Sequence, residues 1–122
     1  MNKVVESVAG RVAIKMEAVS MGADYCLVIT GGDRPHLGAV ALSTPRPSLA
    51  DPQKISASTS VLTLVGHKED DVAKKIAHQF AAKLGRHIVV ACGVHLDGIT
   101  KNELAVMEQM LEELAEQLLQ NL

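Results

Sequence analysis

The run Tyr25-Cys26-Leu27-Val28-Ile29-Thr30-Gly31-Gly32-Asp33-Arg34-Pro35-His36-Leu37-Gly38-Ala39-Val40-Ala41-Leu42 holds two strand-like segments with only a loop between them. Residues 25–30 are apolar on both faces, as in a strand that is central in its sheet or covered on both sides. Residues 37–42 form a second strand of small side chains, which admit close approach of backbone or ligand. Upstream, residues 7–20 alternate, with Val8, Val12, Ile14, Met16 and Ala18 on one face and Arg11, Lys15 and Glu17 on the other. That period of two predicts one long, half-exposed strand, and the turn residues Met21-Gly22-Ala23-Asp24 predict a hairpin into residues 25–30.

Downstream, Ser43 to Gln53 carries Pro45, Pro47 and Pro52 and is expected to be an irregular exposed connection. Residues 58–65 alternate as a fourth strand. Glu69-Asp70-Asp71 then set three acids on a first helical turn, Val72, Ile76, Phe80 and Leu84 recur on one face, and Gly85 ends the helix. A buried strand over residues 87–93 follows. Thr100-Lys101-Asn102-Glu103 is a capping box, opening a helix with the stripe Leu104, Met107, Leu111, Leu114 and Leu118. The order ββββαβα predicts an α+β fold, a mainly antiparallel sheet of about five to six strands with two helices on one side. A Rossmann-like domain, which needs alternating βαβ units, is disfavoured. The whole of residues 1–122 is expected to form a single domain.

Composition narrows the partners. The chain is 48% hydrophobic and 21% charged, with a formal charge of −2, and carries no basic stripe. Tyr25 and Phe80 are its only aromatic residues, so nucleic acid is an unfavourable partner. No apolar run is long enough to cross a bilayer and the first residues lack a signal-peptide core, which predicts a cytoplasmic protein. Cys26 and Cys92 lie in apolar strand-like runs and read as reduced, inert core thiols.

Three clusters at strand ends carry chemistry. In the first loop, Arg34, His36 and the backbone amides near Gly31, Gly32 and Gly38 suit capture of a phosphate or carboxylate; the alternative is a tight loop with a solvated arginine. Gly66-His67-Lys68-Glu69 stands at a strand-to-helix junction, either an anion site or a self-capped helix start. In Cys92-Gly93-Val94-His95-Leu96-Asp97-Gly98, His95 and Asp97 alternate onto one face as a proton-transfer pair or as two metal ligands. His36, His67, His95 and Asp97 lack any HxxxH or CxxC spacing, so no metal is expected. No nucleophile stands beside an evident base. The clusters read together as one binding pocket.

The run Gly31 to Ala41, with Gly66-His67-Lys68-Glu69 and Gly93-Val94-His95-Leu96-Asp97-Gly98-Ile99-Thr100, resembles the small D subunit of gallate decarboxylase systems, the prenylated flavin chaperone LpdD-like family. The resemblance covers nearly the whole chain. It implies a fold similar to the small proteasome assembly chaperones and a non-catalytic accessory protein. That protein would bind prenylated FMN (or FMN) and help mature it or deliver it to a UbiD-type decarboxylase. It makes Arg34, His36, His67, Lys68 and His95 pocket residues, beside Gly31, Gly32 and Gly38 from the first loop and Asp97 from the third cluster. Scarce aromatic residues imply moderate affinity. Two other classes stand beside this one: a protein-interaction module of assembly-chaperone type, and a small His/Asp acid–base enzyme acting on an anionic substrate. A homodimer is expected from the extended first strand and the leucine-rich last helix.

Overall fold

The computed structural model describes residues 2–64 and 69–122. Its elements are β1 (Lys3–Ala9), β2 (Val12–Met21), β3 (Asp24–Gly32), β4 (Ala39–Pro47), β5 (Ile55–Thr63), α1 (Asp70–Leu84), β6 (Ile88–His95) and α2 (Lys101–Gln120). The strands form one sheet in the order β1-β2-β3-β6-β4-β5, antiparallel throughout except for the β3–β6 pair, which is parallel. This is the expected α+β architecture with helices on one face.

The alternation that reads as one strand over residues 7–20 is two strands. Gly10, at φ 62°, turns the chain with Arg11, and Ala9 pairs with Val12 and Val8 with Ala13. A two-residue turn leaves the alternating pattern unbroken in sequence but reverses the chain. Val8 therefore falls on the face opposite Val12, and it is 73% exposed. The proline segment is likewise not irregular at its start: β4 runs through Pro45 to Pro47, paired with Ala57 to Ile55 of β5. Pairing of β4 with β6 stops at Ser43 opposite Ile88, so beyond it β4 has an open side where a missing N–H loses no ladder bond. The next strand starts at Ile55, three residues before the alternation predicts, and the expected end at Val65 lies outside the described residues.

Helix α1 follows its sequence signals. Asp70 and Asp71 occupy the first turn, Ile76 and Phe80 are buried, and Gly85 closes the helix in the left-handed region with its N–H donating to the Ala81 carbonyl. In α2, Thr100 and Glu103 make both bonds of the capping box, at 3.1 and 3.0 Å. Leu111, Leu114 and Leu118 face the core with Met110 and Ala115, while Leu104 stays exposed. Helix α1 lies on β4, β5 and β6, and α2 on β1 and β2. The core between helices and sheet is built from Ile14, Met16, Leu27, Ile29, Ala41, Ile88, Val90, Phe80 and Leu118, all buried. The one buried polar side chain among the described residues, Ser43, is satisfied by Thr59 at 2.9 Å.

No described element covers the other sheet face. It carries Lys15 and Glu17 toward β1, and apolar residues toward β5, where Leu42 and Leu62 are exposed and Val28, Val40 and Val89 half-buried. No described helix is long and apolar enough to cross a membrane.

Candidate functional site

Strands β3 and β6 run parallel and end together, Gly32 opposite His95. Strand β4 lies on the far side of β6 from β3, so residues 33–38 must carry the chain across the end of β6. The crossing is tight. Asp33 N–H donates to the His95 carbonyl at 2.8 Å, and Gly38 N–H to the Cys92 carbonyl at 2.9 Å. Gly93 sits directly beneath, and a Cβ there would run into the His36 carbonyl. Gly32 combines a φ of 79° with a position where a Cβ would meet the His95 carbonyl. These glycines let one backbone lie on another. The Gly38 amide, read from sequence as an anion donor, is engaged inside the protein, and Gly31 and Gly32 belong to the β3–β6 ladder.

The side chains converge above this crossing. Arg34 Nη2 lies 2.5 Å from Asp97 Oδ1 and 3.0 Å from His95 Nε2, and His95 Nε2 lies 2.8 Å from the same Asp97 oxygen. Asp33 Oδ2 accepts the Asp97 N–H at 3.0 Å, which ties the two loops together. His36 packs edge-on against His95 with ring centroids 5.8 Å apart, its Nδ1 3.2 Å from the Arg34 carbonyl and its Nε2 3.1 Å from Glu69 Oε1. The arrangement is graded: Arg34 and Asp97 are exposed, His95 partly so, and His36 and Glu69 sit deeper. Hydrogen bonds from His95 and then Arg34 hold the Asp97 carboxyl below the usual carboxylate range. His95 Nε2 faces a donor and an acceptor at once, so it either accepts from Arg34 or donates to Asp97, and a single proton decides which.

Arg34, His36, His95, Asp97, Gly31, Gly32 and Gly38 thus all gather at one sheet end. His67 and Lys68 lie outside the described residues. Sequence reasoning missed two contributors: Asp33, to which it gives no role, and Glu69, which it reads only as an acid at a helix start. Their signal is adjacency to the loop and to the junction, but only the fold shows that they face the imidazoles. Cys92 lies beneath the loop, where burial, followed by the charge of Glu69, pushes its thiol up to about 12. It is an inert thiol. Cys26 is half-buried and lies on the open face rather than in the core.

Two depressions of about 330 Å³ each flank Pro35 on the open face. One is floored by Val28, Thr30, Ala91 and Gly93 and walled by His36 and Leu37; the other lies over Val8, Ala13 and Lys15. Neither contains an aromatic residue other than histidine, since Phe80 is in the core and Tyr25 stands at the opposite end of β3. A further cleft of about 210 Å³ separates α1 from α2, walled by Val72, Ile76 and Leu111 under Asp71, Glu108 and Glu112, and its lysine, Lys75, is paired with Glu112 at 3.3 Å.

Residues 8–122 match the family model described as the prenylated flavin chaperone LpdD-like domain. A curated relative, Protein LpdD of Lactiplantibacillus plantarum, is 25% identical over 99 residues, spanning 81% of this chain and 69% of the relative. A chain of the crystal structure of a novel chaperone complex for yeast 20S proteasome assembly superposes with a TM-score of 0.50 at 16% identity, covering 96% of this chain and 98% of that one. The last of these speaks to the fold alone. With the family model matched from the end of β1 to the final residue, the chain belongs to the prenylated flavin chaperone LpdD-like domain family.

Proposed function

We propose that this chain is an accessory chaperone that binds prenylated FMN reversibly and hands it to a UbiD-type decarboxylase. The observation that carries the reading is the exposed guanidinium of Arg34, bonded to His95, whose ring packs on His36, the histidine that walls a depression floored by small residues. Arg34 is bonded to Asp97 but 67% exposed, so its tip can exchange that carboxylate for a phosphate. Ala91 and Gly93 leave a flat floor for a fused ring, and Val28 supplies apolar contact. Without an aromatic clamp, ring contacts are limited to such surfaces, which suits a protein that must release its ligand. His67 and Lys68 complete the anion pocket in this reading, and Gly31, Gly32 and Gly38 shape it. A second copy packs on the open face around the exposed Leu42 and Leu62 of β4 and β5, sheet on sheet, as a homodimer.

Titration with FMN and prenylated FMN, followed by ligand absorbance, tests the proposal. Wild type is expected to bind the prenylated form, and Arg34→Ala to weaken it about ten- to hundredfold, the loss of one charge-assisted phosphate contact. Absence of binding to both forms overturns it in favour of a protein-interaction module, which would hold its partner equally well with Arg34→Ala. The His95–Asp97 contact supports a second reading, acid–base chemistry on an anionic substrate. Its mark is turnover that disappears in His95→Ala while binding persists.

A further inference from the structure

We propose that Asp33, His95 and Asp97 form a divalent-cation site at the mouth of this pocket. One imidazole nitrogen and two carboxylate oxygens from these residues lie within 4.8 Å of one another. Donors sharing an ion at about 2.0–2.2 Å stand roughly 3–4 Å apart, so small side-chain rotations close the set. The supports are already pinned. Asp33 follows β3 directly and bonds the His95 backbone, His95 ends β6, and Asp97 is held by its N–H on Asp33.

Two observations beyond proximity point to a cation. The first is that a positive group already occupies the convergence point: Arg34 Nη2 bonds His95 Nε2 and Asp97 Oδ1, an atom on each of two of the three residues. The second is the balance of charge. Among the described residues the convergence point sets the two carboxylates Asp33 and Asp97 against the one guanidinium Arg34, because nearby Arg11 is committed to Glu103. A phosphate brought to that rim meets excess negative charge. A divalent ion on the triad reverses the local sign and releases Arg34 to the phosphate; this bridging role rests on the flavin reading, whereas the cation site does not. The donor set of one nitrogen and two oxygens suits Mn²⁺, Fe²⁺, Co²⁺ or Zn²⁺ over thiophilic ions, and leaves coordination positions open toward solvent.

The test is titration of the purified, metal-stripped protein with Mn²⁺ in phosphate-free buffer without flavin, with free Mn²⁺ read by electron paramagnetic resonance. The expected result is one saturable ion per chain, with affinity at least tenfold weaker in Asp33→Asn and in Asp97→Asn. Arg34→Ala should bind several-fold more tightly, because the competing guanidinium is gone. Glu113→Gln, an exposed acid on α2, should match wild type, and circular dichroism confirms that each variant is folded. A Co²⁺ absorption band that changes in His95→Ala identifies the nitrogen ligand. Unsaturable binding by wild type, unchanged affinity in both aspartate variants, or weaker binding in Arg34→Ala overturns the site. Mn²⁺ binding without flavin binding sinks the flavin reading and leaves the site standing; flavin binding without Mn²⁺ binding does the reverse.

Discussion

Replacing Gly93 with alanine probes the contact on which the whole site is built. Gly93 is not in the left-handed region, so alanine suits its backbone and any loss comes from contact alone. The added methyl meets the carbonyl and carbon of His36, which are backbone atoms and cannot swing aside, so residues 33–38 must lift off β6. Overpacking of this kind costs about 1–3 kcal/mol. Lifting the loop also breaks the Gly38 N–H to Cys92 carbonyl bond, worth about 1 kcal/mol more. Together the loss is about 2–4 kcal/mol, which in a chain of this size lowers Tm by roughly 8–16 °C. Thermal and urea unfolding measure it, and ligand titration of the same sample should show a displaced Arg34 and His36 as weakened binding. Gly98→Ala is the contrast: φ is 59° but nothing lies within 4 Å, so only strain of about 1–2 kcal/mol is expected, with binding intact. If Gly93→Ala unfolds within about 0.5 kcal/mol of wild type, a spread typical of surface substitutions, the loop is not seated on the sheet and the geometry of the site is wrong.

Three other outcomes follow from the same contacts. The Glu103 carboxyl is held down to about 2, first by the Arg11 side chain and then by the Thr100 backbone. Because the folded value lies below the ordinary 4.5, its contribution is complete above that pH and is lost as pH falls toward 2, so Arg11→Ala should flatten the acid limb of stability in that window; an unchanged limb refutes the pairing. At pH 8, a thiol reagent should modify Cys26 while sparing Cys92 until the protein unfolds, and equal rates at both would contradict the burial of Cys92. Leu42→Glu combined with Leu62→Glu should convert a dimer to a monomer in light scattering with the unfolding midpoint of the isolated chain preserved; a wild type already monomeric at micromolar concentration removes the sheet-face dimer.

Local signals were legible wherever the structure that uses them is local. The α1 stripe, its Gly85 stop and the Thr100–Glu103 capping box each depend on residues a few positions apart, and each forms as read. The β1–β2 turn was hidden because Gly10-Arg11 preserves the alternating pattern while reversing the chain, so Val8 was placed on the wrong face. Pro45 and Pro47 misled because a proline's effect on a strand depends on which side is paired, and β6, which decides it, comes some 40 residues later. The crossing over β6 is non-local in the same way. From sequence, Gly31, Gly32 and Gly38 read as donors to a ligand; with β6 inserted between β3 and β4, Gly32 becomes a point where two backbones touch, while Gly31 lies against the Ala13 carbonyl of β2 and Gly38 leaves the room that the Glu69 carboxylate fills.

That insertion also changes what the site can bind. Read along the chain, the loop offers Arg34 and His36 and looks like a plain anion cradle. Folded, it meets Asp97 from the β6–α2 loop and Glu69 from the start of α1, and the guanidinium is held by acid rather than free for a ligand. A phosphate must therefore displace Asp97 from Arg34, or arrive with something that neutralises the carboxylates. The first route leaves Asp97 and Asp33 facing the anion, and their repulsion grows as the site is dehydrated. The second uses those carboxylates as ligands and turns the repulsion into attraction. Arg34→Ala separates the two routes in a single comparison, because it removes the anion's guanidinium contact while unmasking the cation's ligands.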